Sequence, residues 1–257
     1  DRLTRGWEYS DCWVEDARLV VLNCLDAKER GADIRPRTEC VGLERDAGVW
    51  TASLRGDLGE ERVRARIVVN AAGPWVDKVL DTAQPDRSHA NLRLVKGSHL
   101  VFRKLYQGSH AYIFQNRDNR IVFAIPFERE FTLVGTTDVL FTGDPDRVEI
   151  SDEEARYICD AVNEYLRRDV TPQDAVWSYS GVRPLYDDHK SDTSTITRDY
   201  VFDLDREGGA PILSIFGGKI TTYRKLAEEA VDWIAPLLGK MHTGAWTAHA
   251  VLPGGDL

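Results

Sequence analysis

The sequence predicts a mixed α/β protein in which an antiparallel sheet is inserted between two α/β portions. An apolar, strand-like run, "RIVVNAAG", ends in small residues in the first third of the chain. A second run, "PILSIF", passes through two glycines into a helical pattern near the end. Between them, short alternating runs are separated by polar turns, which is typical of an antiparallel meander.

The first α/β portion begins with a predicted helix. From Val14 to Ala27 apolar residues recur at helical spacing, and Gly31 follows as a stop signal. Three extended segments come next, "DIRPRTECVGLER", "VWTASLR" and "RVRARIVVNAAG". The last of them ends in an uninterrupted apolar run, so we expect a buried parallel strand there.

The middle portion runs from Leu92 to Asp138 and predicts four antiparallel strands, "LVKGSHLVF", "AYIFQ", "RIVFAIPF" and "FTLVGTTD". A helix should follow, because Ser151 and Glu154 have the spacing of a capping box and precede an apolar stripe. We expect "AVWSYSGVRPL" and "YVFDLD" to add strands to the same sheet. The final helix is predicted from about Thr221 to Leu238.

Composition and charge exclude several classes of protein. The 257 residues carry 33 basic and 42 acidic side chains, a net charge of -9, which argues against a nucleic-acid partner. Four dispersed cysteines form no C-x-x-C pair, so we expect no metal site and a reduced, cytoplasmic setting. No apolar run approaches the roughly 18 residues of a spanning helix, so any membrane contact should be peripheral.

Two strand ends with small residues are candidate ligand sites, "IFGGKITTYRK" and "RIVVNAAGPW". Glycines let a ligand approach the backbone closely, and the free N–H groups of a helix start favour negative charge. Each site can equally be a plain turn in which glycine relieves backbone strain. No G-x-G-x-x-G occurs, so a dinucleotide ligand would need a phosphate loop that this sequence lacks.

Five cationic side chains occur in otherwise apolar, strand-like segments: Lys96, His99, Arg183, Arg198 and Lys219. Several of them converging on one pocket would make an anion site, since arginine presents a planar fork to phosphate or carboxylate. Taken singly, each is more simply a solvated or salt-bridged residue. The sequence does not show whether they converge.

These motifs together resemble a known family. "EYSDCWVEDARLV", "NAAGPWV", "KGSHLV", "VGTTD", "YSGVRPL", "ITRDY" and "FGGKITTYRKLAE", spread over residues 5 to 255, are similar to segments of the FAD-dependent glycerol-3-phosphate dehydrogenases. The resemblance implies a Rossmann-type FAD domain interrupted by an antiparallel substrate domain, as in flavoproteins similar to D-amino acid oxidase. Residues 11–91 and 201–240 would form a partial FAD-binding domain, 92–200 the substrate-binding domain and 241–257 a C-terminal linker.

Two parts of that family are missing from this sequence, the N-terminal βαβ unit with its G-x-G-x-x-G and the helical C-terminal domain. The resemblance therefore implies an internal fragment of such an enzyme. On its own we expect the fragment to be inactive.

The resemblance also implies roles for individual residues. His99 would be the general base for the C2 hydroxyl of glycerol 3-phosphate, Arg183 and Arg198 would bind the phosphate, and Lys219 would lie near both substrate and flavin. Arg183 or Lys219 could take part in this proton transfer instead, so the resemblance implies His99, Arg183 and Lys219 as the catalytic residues. Contact with FAD is expected from Ala72, Gly73, Trp75, Gly217, Gly218, Lys219, Thr221 and Thr222.

The implied reaction yields dihydroxyacetone phosphate and passes electrons to quinone, in an enzyme held peripherally on the inner face of the cell membrane and compatible with a homo-oligomer. One alternative is a glycerol-3-phosphate oxidase that uses oxygen. Another, for this chain alone, is a non-catalytic substrate-domain fragment without FAD.

Overall fold

The computed structural model describes residues 5–86, 90–187, 199–239 and 244–256, which form four α-helices and twelve β-strands. The chain divides into two units. One comprises Asp1–Val41, Ala52–Val63 and Ile220–Leu257, and the other comprises Gly42–Thr51 and Arg64–Lys219. The second unit contains both sheets that carry the candidate site.

The predicted elements at the start of the chain form with small shifts. Helix α1 spans Asp16–Glu29. Strands β1 (Glu39–Asp46), β2 (Val49–Gly56) and β3 (Gly59–Ala65) pair in the order β1-β2-β3. The third predicted segment splits, because a separate strand β4 (Val68–Asn70) follows β3 and joins another sheet. A 3-10 turn over Gly73–Trp75 then leads into helix α2 (Val76–Ala83).

The predicted meander is confirmed as an antiparallel sheet. Its described strands are β5 (Leu92–Arg103), β6 (Tyr112–Gln115), β7 (Ile121–Phe127), β8 (Phe131–Gly135), β9 (Val139–Phe141) and β10 (Ala175–Tyr186). The order is β10-β5-β8-β7-β6, with β9 also beside β5. β5 is the long central strand and pairs with β10 over most of its length.

Helix α3 (Asp152–Asn163) covers one face of this sheet. The predicted capping box is present, because the Ser151 hydroxyl accepts from the Glu154 backbone N–H at 3.2 Å and Glu154 Oε2 accepts from the Ser151 N–H at 2.9 Å. Ile158 and Val162 are fully buried in a core shared with the sheet. Alternate residues of β5 and β10 point to the opposite face, since side chains alternate along a strand. We call these two sides the covered face and the open face.

A second sheet contains the parallel pair that the apolar runs predicted. Strand β12 (Ile212–Phe216) lies between β11 (Val201–Asp205) and β4 and is buried throughout. It pairs with β4 in parallel, with Ile212 opposite Val68. The parallel pairing is confirmed, although Val69 of β4 is exposed.

The expectation that "YVFDLD" extends the antiparallel meander is wrong. These residues form β11, which pairs with β12 instead. The connection between β11 and β12 is short and contains Gly208 and Gly209, both with positive φ. A tight glycine turn favours pairing of neighbouring strands, so a local hairpin forms in place of a distant addition to the sheet.

The last helix, α4, spans Tyr223–Ile234 and is shorter than predicted. A 3-10 turn over Ile220–Thr222 precedes it, and another over Pro236–Leu238 follows. Pro236 lacks the N–H that an α-helix needs, so the α-helical pattern stops before it. Over the ranges described above, no helix is both long and apolar enough to cross a lipid bilayer.

Candidate functional site

Two glycine-containing segments that are far apart in the sequence end at the same edge of a sheet. β4 and β12 are parallel, with Asn70 opposite Ser214, so their carboxyl ends lie side by side. "AAG" follows β4 there, and "GGK" follows β12. Ligands of open α/β sheets bind at this edge, outside the carboxyl ends of parallel strands.

The glycines after β12 have a packing role as well. Gly217 and Gly218 have φ values of 74° and 92°, which favour glycine. A Cβ on Gly217 would lie 2.9 Å from the carbonyl oxygen of Asp199 and 3.7 Å from that of Pro184. Glycine therefore avoids crowding at this turn, which brings the backbone next to Pro184 of β10. Lys219 follows and is exposed.

The predicted cofactor contacts fall in both units. Ala72, Gly73, Trp75, Gly217, Gly218 and Lys219 belong to the second unit. Thr221 and Thr222 belong to the first, where they are exposed in the turn that precedes α4.

A cavity of about 450 Å³ lies between the turn after β4 and the outer edge of β10. Its lining residues are Pro74, Trp75, Pro145, Asp146, Val148, Ser180, Gly181 and Val182. Gly181 leaves this space open, because a Cβ added there would meet nothing within 4 Å. The predicted cofactor residue Trp75 therefore lines a cavity together with the strand that carries Arg183.

His99 lies on the open face of β5. Its ring stacks on Tyr179 of β10, with centroids 5.0 Å apart and planes inclined by 9°. It also covers Gly135 of β8, where a Cβ would come within 2.8 Å of the imidazole Cγ. Nδ1 is buried and has no hydrogen-bond partner among the described residues.

The surroundings of His99 keep its imidazole neutral. Burial lowers the pKa of His99 below 6.5, and the positive charge of Arg183 lowers it further. The ring is therefore uncharged at neutral pH and can accept a proton, as a general base must.

Arg183 lies on the same open face, and its Nη2 donates to the Thr137 carbonyl oxygen at 3.3 Å and to the Asp138 carboxylate. The guanidinium lies over Gly97, since a Cβ there would be 3.4 Å from Nη2. Its side chain is 51% exposed. The remaining N–H groups can therefore be presented to an anion, which would compete with Asp138 for the guanidinium.

Lys96 does not join His99 and Arg183, although it is only three residues from His99. It lies on the covered face, where its ammonium is 2.7 Å from Glu154 Oε2 and donates to the Glu149 carbonyl oxygen at 2.9 Å. The salt-bridge alternative therefore applies to Lys96. Arg198 lies outside the described residues.

Sequence reasoning missed five residues that shape this site: Gly97, Gly135, Thr137, Asp138 and Tyr179. Gly97 and Gly135 give room for Arg183 and His99, respectively. An isolated glycine within a strand often marks a close approach of another group, so these two were detectable in principle. Thr137, Asp138 and Tyr179 carry no comparable signal. Within the residues that the structure describes, no group of three or more His, Cys, Asp or Glu side chains could hold a metal ion.

Comparison with known proteins gives concordant matches. Residues 1–224 match the model of a family described as FAD dependent oxidoreductase. The chain is 48% identical over 259 residues to D-erythritol 1-phosphate dehydrogenase of Brucella abortus, covering 100% of the chain and 51% of that protein. It is 49% identical over 256 residues to glycerol-3-phosphate dehydrogenase of Pseudomonas aeruginosa, covering 99% and 50%.

A solved structure is also similar, that of the glycerol-3-phosphate dehydrogenase from Bacillus halodurans complexed with FAD. The TM-score is 0.79 at 32% sequence identity, over 93% of this chain and 46% of the other. The chain thus spans about half the length of the curated relatives it matches.

Proposed function

Because the chain belongs to the family of FAD-dependent oxidoreductases, we propose that it supplies the substrate side of an enzyme that oxidises glycerol 3-phosphate to dihydroxyacetone phosphate. One observation carries this proposal. A neutral histidine with an unpartnered buried nitrogen shares an open sheet face with a half-exposed arginine. Oxidation of a phosphorylated alcohol needs both, a base for the hydroxyl proton and a cation for the phosphate.

The residues at the sheet edge fit a bound flavin. Asn70, the last residue of β4, has a buried side-chain oxygen without a hydrogen-bond partner among the described residues. Gly73 has a φ of 55° and open space where a Cβ would stand. FAD, when bound, supplies the acceptor for the hydride that leaves C2. We propose that Ala72, Gly73, Trp75, Gly217, Gly218 and Lys219, all in the second unit, contact it.

The proposed chemistry of the protein's own side chains is simple. His99 accepts the proton of the C2 hydroxyl. Arg183 binds the phosphate, together with Arg198, and Lys219 lies near substrate and flavin. The phosphate displaces the Asp138 carboxylate from Arg183 or shares the guanidinium with it, since a dianion forms a stronger charge-assisted bond than a half-exposed carboxylate does.

The domain organisation follows from the same proposal. Residues 11–91 and 201–240 contribute to FAD binding, residues 92–200 bind the substrate, and 241–257 form a linker. The parallel pairing of β4 with β12 and the separate antiparallel sheet of β5 to β10 support this division.

D-erythritol 1-phosphate is a second candidate substrate. A dehydrogenase of that compound is 48% identical over the whole chain, against 49% for the glycerol-3-phosphate dehydrogenase. Both substrates are polyols with one phosphate ester, so His99 and Arg183 would have the same roles with either one.

The electron acceptor and the cellular location are further parts of the proposal. We propose quinone as the electron acceptor, as the family resemblance of the sequence implies, with peripheral attachment to the inner face of the cell membrane. Transfer to oxygen is the alternative. For this chain taken alone, a non-catalytic substrate-domain fragment is the alternative proposal.

The test uses the full-length protein that carries this chain. Oxidation of glycerol 3-phosphate, D-erythritol 1-phosphate and unphosphorylated glycerol is measured with a quinone analogue, and peroxide is measured in parallel. We expect one of the phosphorylated polyols to be oxidised at least about 100-fold more efficiently than glycerol, since a charge-assisted phosphate contact contributes roughly 3 kcal/mol. Equal efficiency with glycerol would reject the role of the arginine. Peroxide formation in place of quinone reduction would favour the oxidase.

A further inference from the structure

An irregularity in strand pairing lies directly beneath the proposed phosphate site. His99 is opposite Gly135 of β8, and Lys96 is opposite Val139 of β9. Residues 136–138 therefore face only residues 97–98 of β5. This is the arrangement of a β-bulge, which bends the strand and changes the direction in which its side chains and carbonyl groups point.

The bulge is held from the covered face by a buried carboxylate. The Thr137 hydroxyl donates to Glu154 Oε1 at 2.7 Å and accepts from the Ser98 backbone N–H at 3.0 Å, replacing a bond of the strand ladder. Glu154 Oε1 also accepts from the Ser98 hydroxyl at 2.9 Å. Lys96 approaches the other oxygen at 2.7 Å.

Glu154 is ionised in this setting. Burial alone would raise its pKa, but the hydrogen bonds from Lys96, Ser151, Thr137 and Ser98 outweigh burial and lower the pKa of Glu154 to about 2. The carboxylate is 6% exposed, so its bonds to the bulge are shielded from water.

The same bulge holds Arg183 on the open face. The Thr137 carbonyl oxygen accepts from Arg183 Nη2, and the next residue, Asp138, pairs with the guanidinium. Thr137 thus contacts the buried carboxylate through its hydroxyl and the arginine through its backbone. Ser98 follows Gly97, over which the guanidinium of Arg183 lies, and Thr137 precedes Asp138, which pairs with Arg183.

We propose that Glu154 is a positioning residue, which acts through the Thr137 bulge to fix the guanidinium of Arg183 beside His99. The geometry stands by itself, and only its kinetic consequence rests on the proposed function. Without the hydrogen bond from Thr137 to Glu154, the bulge no longer holds Arg183 in place. Arg183 then binds phosphate less well and lowers the pKa of His99 less strongly.

The test alters the connection while keeping the packing. Thr137→Val has nearly the same shape as threonine but lacks the hydroxyl that joins Glu154 to Ser98, and Thr137→Ser restores that hydroxyl. Ile158→Ala, one turn further along α3, is the control for lost stability alone. For each full-length protein, the pKa of His99 is measured by NMR on isotope-labelled histidine, and KM and kcat are measured for glycerol 3-phosphate.

We expect Thr137→Val to raise KM about tenfold, which corresponds to about 1.4 kcal/mol of lost binding, with kcat changed less than about twofold. The pKa of His99 should rise in this variant. Thr137→Ser should restore both quantities, and Ile158→Ala should move neither.

Two results would overturn the proposal. One is a folded Thr137→Val protein with unchanged His99 pKa and unchanged KM, and the other is an equal change in Ile158→Ala. If neither polyol phosphate is oxidised by the parent protein but the His99 pKa still rises in Thr137→Val, the proposed function fails and the positioning role of Glu154 is supported. If Thr137→Val does not fold, Glu154→Gln is tested in its place, and the proposal again expects a higher KM and a higher pKa of His99.

Discussion

Polar side chains on the two faces of the antiparallel sheet differ in how many partners they have, although the same strands supply both faces. On the covered face the Lys96 ammonium, 11% exposed, has Glu154 and a backbone carbonyl as partners. The Glu154 carboxylate has four donors of its own. On the open face His99 keeps a buried nitrogen without a partner among the described residues, and Arg183 remains half exposed.

This difference separates groups that stabilise the fold from groups that remain available to a ligand. A buried polar atom without a partner costs free energy, so folded proteins rarely retain one unless something else satisfies it. The Lys96–Glu154 pair on the covered face is fully partnered and gains nothing from a ligand. The open face is unsaturated at His99 and Arg183, where an alcohol and a phosphate would supply the missing partners.

The largest expected effect concerns the open face. His99→Gln should lower kcat/KM for the polyol phosphate that serves as substrate by roughly 10²- to 10⁴-fold, the usual contribution of a general base. In the parent protein the rate should fall as the pH drops through the His99 pKa, which lies below 6.5, because the protonated ring cannot accept a proton. The variant should lack this acidic limb.

His110→Gln is the matched control, since His110 is an exposed histidine of the same unit. Its pH profile should match that of the parent protein. An acidic limb that persists in His99→Gln would assign the base to another residue.

The next effect concerns the covered face. Lys96→Met removes one partner of a buried ion pair and should lower the free energy of unfolding by about 3–5 kcal/mol, because the Glu154 carboxylate is left without its cation. The double variant Lys96→Met/Glu154→Gln should recover part of this loss, since a neutral amide leaves no buried charge and its oxygen can still accept from Thr137 and Ser98. Urea denaturation measures both.

Lys104→Met is the control for the Lys96 variant, because Lys104 follows the same strand and is exposed. It should change the free energy of unfolding by less than about 0.5 kcal/mol. A loss as small as this in Lys96→Met would mean that the covered face is not held by the ion pair.

The contrast between the faces was partly readable in the sequence. Lys96 and His99 are three positions apart, an odd number, so a strand must place them on opposite faces. The strand period therefore excludes an anion site that includes both residues on one face of the sheet. Arg183 could not be assigned to a face in this way, because its register against β5 depends on pairing between segments more than 80 residues apart.

Local signals predicted the fold better than distant ones. The capping box at Ser151 and the strand that ends at the "GGK" turn formed as expected, because each depends on a few neighbouring residues. The placement of β11 failed, since the apolar pattern of "YVFDLD" suits either sheet and only the Gly208–Gly209 turn favours the local partner. Likewise, the bulge at Thr137 follows from the unequal spacing of two strand partners, which no single segment reveals.

The smallest expected effect probes the boundary between the two faces. Asp138→Asn keeps a side-chain oxygen for Arg183 but removes the negative charge that competes with phosphate. Both side chains of this pair are about half exposed, so the pair contributes at most about 1 kcal/mol. KM for the polyol phosphate should therefore fall by no more than about fivefold. The pKa of His99 should be lower than in the parent protein, because the charge of Arg183 is less compensated.

Asp118→Asn, which breaks the exposed pair with Arg120, should change neither quantity. A higher KM in Asp138→Asn would mean that the carboxylate orients Arg183 for phosphate and does not compete with it.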